Sequence, residues 1–201
     1  MHSRIDHNSA SSSATMTLAQ RMGTTPHISP LLMKAGRIGL KQPEDLEKLA
    51  VHRGLRYYDS YGDTMSLPHD QTGPSIIAKE DTLSNEELAL ALISPATPYS
   101  LQRLRMSAAM IGAQGNKPET IAFLAKRERS EPIVRHIAQC GSQAEPNNPF
   151  WKKLLALLPQ TPAPAIDVLP HLTRFVAMTG LTRAGKGNRM QWIRPTRTLT
   201  P

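Results

Sequence analysis

The stretch LSNEELALALISP, residues 83–95, decides how the rest of the chain is read. Ser84 and Glu87 have the spacing of a capping box. The Ser hydroxyl takes the backbone N–H three residues on, and the Glu carboxylate reaches back to the Ser N–H. Leu83 and Leu88 occupy the two staple positions beside the cap. Leu90, Leu92 and Ile93 continue the run, and Pro95 stops it because proline cannot extend a helix. Apolar residues lie nearly all the way round this segment. A helix of that kind has to be surrounded by other elements, so it belongs at the centre of a core.

Working outward, similar punctuation recurs on both sides. Ser29-Pro30 reads as an N-cap and first helical position before Leu31, Leu32, Ala35 and Ile38. Pro43 opens another helix, with Glu44 and Asp45 in its first turn and a Leu46, Leu49, Ala50 stripe. Arg53-Gly54 closes it, and the charges match the helix dipole at both ends. Downstream, Thr97-Pro98 is expected to start a helix bearing Leu101, Leu104, Ala108 and Ile111. Asn116 and Glu119 are expected to cap the next, with Ile121, Leu124 and Ala125 on its buried stripe. Ser130 begins a third, carrying Ile133, Val134, Ile137 and Ala138 and closed by Gly141. Asn148-Pro149 begins a fourth, with Phe150, Trp151, Leu154, Leu155 and Leu158, stopped by Pro159. Asp167 can cap a last helix over Val168, Leu169, Leu172, Phe175 and Val176 that ends at Gly180. The caps at 97, 116, 130 and 148 also hint at helix pairs repeating every ~32–34 residues, a solenoid period, but no solenoid consensus residues accompany them.

The fold expected is mostly α: an irregular multi-helix bundle of short helices, with a small β-hairpin at the C-terminus. Residues 1–25 are Ser-rich, lack apolar periodicity and read as an unstructured extension. Residues 26–180 form the helical domain. Its stretch 55–81 breaks the helical rhythm and reads as an irregular loop. Residues 181–201 are a basic tail or hairpin.

Charge is the functional signal. The chain of 201 residues carries a formal +8, and Val168 to Pro201 contribute six Arg or Lys with no Asp or Glu. The sequence pI is about 9.9. Cations gathered at one end point to an anionic partner more strongly than an even surplus would. The residues expected to make that contact are Arg174, Arg183, Lys186, Arg189, Arg194 and Arg197 on phosphates, with Trp192 stacking on a base or sugar. Arg103, Arg105, Arg127 and Arg135 would extend the basic surface if they shared a face with the tail. The run Arg127, Glu128, Arg129, Glu131 reads as exposed ion pairs of alternating sign. Leu181 to Arg183 and Arg189 to Arg194 flank a Gly-rich turn. A helix followed by such a basic hairpin resembles the last part of a winged-helix domain. That resemblance implies a helix in the major groove and a wing on the backbone or minor groove.

Other chemistries find little support in the sequence. Cys140 is the single cysteine, so neither an intramolecular disulfide nor a CxxC zinc site can form, and a reducing cytoplasmic location is expected. No apolar run approaches the roughly 20 residues of a membrane span, and no secretory signal pattern is present. Gly180 to Lys186 matches the start of a P-loop, but Gly187 replaces the Mg²⁺-binding hydroxyl. His136 and Cys140 share a helical face without two further ligands, so no metal or cofactor is expected. Tyr57, Tyr58, Asp59, Tyr61, Asp63, His69 and Asp70 are the only mixed group of catalytic types, and their spacing demands no reaction. The expectation is a soluble, non-enzymatic binding protein for nucleic acid or another polyanion. The alternative is a helical protein–protein interaction adaptor that does not bind nucleic acid.

Overall fold

The computed structural model describes residues 16–25, 27–53, 55 and 82–160. Among them every helix or strand longer than a single bridge is an α-helix: α1 (Leu18–Arg21), α2 (Pro30–Arg37), α3 (Pro43–His52), α4 (Asn85–Leu92), α5 (Leu101–Ile111), α6 (Pro118–Arg127), α7 (Glu131–Ala144) and α8 (Pro149–Leu157). A single antiparallel bridge, Thr17 to Pro98, is the only extended pairing among the described residues. The loop 57–70, the helix from Val168, the hairpin and the tail lie outside the described residues.

α4 is the hub. Ser84 Oγ accepts the Glu87 N–H at 3.1 Å, and Glu87 accepts the Ser84 N–H at 2.8 Å, so the capping box is formed as its spacing predicts. Leu88 to Leu92 are all buried. α4 packs against α2, α3, α5 and α6, while α6 reaches on to α7 and α8, which pack on each other. Each fully buried Leu contributes on the order of 1.5–3 kcal/mol relative to exposure.

The N-terminal end of α4 is also where polar bonds tie three helices together. Lys34 of α2 bonds Glu87 at 2.6 Å. Arg53, at the end of α3, donates to the Leu83 carbonyl at 2.6 Å and to Asn85 Oδ1 at 3.0 Å. Burial lowers the Arg53 guanidinium below its ordinary range, with Glu87 opposing that effect. Burial pushes the Glu87 carboxyl up, but Lys34, the Ser84 N–H and the Arg127 charge together outweigh it and hold the group below the usual carboxylate value.

Three helix boundaries differ from the sequence reading, each for a local reason. α5 starts after Ser100, whose Oγ accepts the Arg103 N–H at 3.3 Å. Thr97 instead closes a turn from Ser94, its N–H and Oγ1 both donating to the Ser94 carbonyl, and Pro98 pairs with Thr17. The N-cap of α6 is Lys117, ahead of Pro118. Asn116 is drawn back to α5, donating to the carbonyls of Met110 and Ile111 in its last turn at 2.6 and 3.4 Å. α7 does not stop at Gly141 but runs through it to Ala144. A Cβ at Gly141 would overlap the indole of Trp151, the largest fully buried side chain, so this glycine serves helix packing instead of ending the helix.

Residues 16–25 also depart from the expected unstructured extension. Thr17 caps α1, Leu18 and Ala19 are buried, and the segment is held to the α4–α5 turn. The Leu18 and Ala19 N–H groups donate to the Thr97 and Pro95 carbonyls, both at 2.9 Å, and the Tyr99 N–H donates to the Met16 carbonyl at 3.0 Å.

Candidate functional site

The seven residues expected to contact nucleic acid, Arg174, Arg183, Lys186, Arg189, Trp192, Arg194 and Arg197, lie outside the described residues. Of the four arginines that would extend their surface on a shared face, two are turned into the fold. Arg103 is only 6 % exposed. It donates to Glu47 Oε1 at 3.2 Å and to the Pro98 carbonyl at 2.5 Å, joining α5 to α3 and to the turn before it. Arg135 of α7 donates through one nitrogen to the carbonyls of Leu155, Leu158 and Pro159 at 3.2–3.3 Å. It thus serves as the C-cap of α8, where the last carbonyls have no intrahelical partner. Both guanidinium groups are committed to the fold, so Arg103 and Arg135 serve architecture.

The alternating run at the α6–α7 junction is corrected too. Glu128 is completely buried. One oxygen accepts the Ser29 hydroxyl at 2.5 Å and the other accepts the Leu31 N–H at 3.0 Å. Ser29 Oγ in turn accepts the Leu32 N–H at 3.1 Å. A carboxylate here satisfies the first N–H groups of α2 and meets the positive end of its dipole. Arg127 keeps one long contact to this carboxylate, 3.8 Å from its Nε.

With Glu128 turned inward, Lys126, Arg127 and Arg129 remain exposed at the end of α6. Arg129 has φ +53°, the one positive φ among non-glycine described residues. The Ser130 N–H bonds the Ala125 carbonyl at 2.9 Å, closing a Schellman turn. Glycine is the usual residue at that left-handed position, and an L side chain there costs roughly 1 kcal/mol.

One residue that the sequence reading left unweighted completes this surface. Phe123 is 64 % exposed, the only exposed Phe, Tyr or Trp among the described residues. The stripe Ile121, Leu124, Ala125 faces the core, so Phe123 falls on the outer side of α6. Lys126 and Arg127 follow at i+3 and i+4 and share that side. The Arg127 guanidinium carbon lies 6.0 Å from the Phe123 ring centre. Its position outside the buried stripe was the readable signal.

The remaining candidates offer no assembled chemistry. Cys140 is buried, and burial pushes its thiol up to about 12, so it is a neutral core group at ordinary pH. Among the described residues no group of three His, Cys, Asp or Glu is placed to hold a metal ion. No described helix is long and apolar enough to cross a membrane. A groove of about 330 Å³ lies between α2, the start of α3 and the α4–α5 turn, lined chiefly by apolar groups such as Leu32, Leu40, Pro43 and Leu46. No family model, curated protein or solved structure was found to match the chain.

Proposed function

We propose that this chain is a non-enzymatic, soluble cytoplasmic binding protein whose basic C-terminal region contacts nucleic acid or another polyanion. The reading is carried by one observation: six cations and no acid between Val168 and Pro201. The mechanism is phosphate neutralisation with release of counterions, so affinity falls steeply with salt.

The test is a gel-shift titration of the full chain and of a chain ending at Gly180, which lacks Arg183, Lys186, Arg189, Trp192, Arg194 and Arg197. The truncation is expected to abolish binding at physiological salt. Equal binding by the shortened chain eliminates the tail as the site.

A further inference from the structure

We infer that the outer face of the α6 C-terminus, formed by Phe123, Lys126, Arg127 and Arg129, is a contact for single-stranded nucleic acid. The inference rests on the polyanion reading above and adds to it a second surface, on the folded body.

Three observations converge on this face. First, the fold withdraws the only acid of the Lys126–Arg129 run. Glu128 is fully buried and bonded to the N-terminus of α2, which leaves three exposed cations in four residues. Second, Arg129 holds the left-handed position of a Schellman turn where glycine is conformationally easier. A cation is therefore presented at a site where the backbone disfavours it. Third, Phe123 places an exposed ring one helical turn before Lys126 and Arg127, on the same face.

An aromatic platform with cations beside it is what an unpaired strand requires. The ring stacks on a base, whatever its identity, while the cations on its C-terminal side take the adjoining phosphates. A duplex hides the faces of its bases and can use only the cations. The surface therefore favours single strands and carries little sequence preference.

Fluorescence anisotropy of labelled oligothymidine, titrated with the full chain across a range of salt, tests this. Phe123→Ala is expected to weaken binding about tenfold without changing the salt slope. Phe123→Tyr, which keeps a ring, restores it. The triple substitution Lys126→Gln, Arg127→Gln, Arg129→Gln is expected to flatten the log–log salt slope by about two, the value for three single-strand phosphates. All these positions are exposed, so thermal melting should confirm intact folding.

A full-length chain with Arg183, Lys186, Arg189, Arg194 and Arg197 changed to Gln separates the two surfaces. If that chain still loses affinity on Phe123→Ala at low salt, the α6 face acts independently of the tail. If Phe123→Ala and the triple variant bind like wild type while the tail variant fails, this inference is overturned and the tail reading stands. If the tail variant binds like wild type while the α6 variants fail, the tail reading falls and this one stands. Failure of the unmodified chain to bind oligothymidine at low salt overturns both.

Discussion

Arg103 and Arg135 on one side, and Lys126, Arg127 and Arg129 on the other, carry the same charge to opposite ends. The first two point inward, where one meets Glu47 and the Pro98 carbonyl and the other meets the last carbonyls of α8. The other three point outward from the end of α6. The difference is decided by what each can reach. A helix C-terminus or an interhelical carboxylate rewards a buried guanidinium with several charge-assisted bonds. The Lys126–Arg129 run meets no such set of acceptors: its own carboxylate, Glu128, serves a different helix and keeps only a 3.8 Å contact to Arg127. Sequence charge counts treat all five alike, and only the inward or outward choice separates architecture from a surface able to bind.

That contrast predicts effects of different size and sign. The largest follows from breaking the inward set at Glu128. Glu128→Ala leaves the Ser29 hydroxyl and the Leu31 N–H buried without their acceptor. About 3 kcal/mol of stability should be lost in urea unfolding. Glu128→Gln, which keeps an acceptor oxygen, should lose much less.

A smaller effect concerns pH. The Glu87 carboxyl is held below its ordinary value by Lys34, the Ser84 N–H and the Arg127 charge, which together outweigh its burial. A depressed carboxylate contributes stability that is present above its unfolded value, about 4.3, and is lost as pH falls through the lower folded value. Unfolding midpoints measured from neutral pH to below 4 should therefore fall with acidification. The slope should be shallower in Glu87→Gln.

The smallest effect has the opposite sign and sharpens the comparison most. Arg129→Gly relieves a left-handed residue, and should raise stability by about 0.5–1 kcal/mol in thermal melts. The same change removes a cation from the outward set and should weaken oligothymidine binding. A substitution that stabilises the fold while impairing binding separates the two uses of charge.

Legibility in the sequence follows the range of the interaction. The cap of α4, the starts of α2 and α3 and the stop at Pro159 were readable because each is settled within a few residues. Asn116 and Gly141 were misread because their partners lie elsewhere: the carbonyls at the end of α5 for one, the Trp151 indole for the other. Glu128 was read as exposed because nothing local reveals a partner 97 residues away at Leu31. α1 was missed for the same reason, since its four residues depend on bonds to the α4–α5 turn. For the candidate site, the cations of α6 were visible and the off-stripe position of Phe123 was readable. The inward turn of Glu128 beside them was not, because it is a property of packing.

The central claim is that outward cations bind nucleic-acid phosphates, and the salt dependence of oligothymidine affinity tests it most directly. The full chain should show tight binding at low salt and a steep, linear fall of log affinity with log salt. Ending the chain at Gly180 should reduce that slope sharply. An affinity indifferent to salt, or no binding at low salt, would contradict the account.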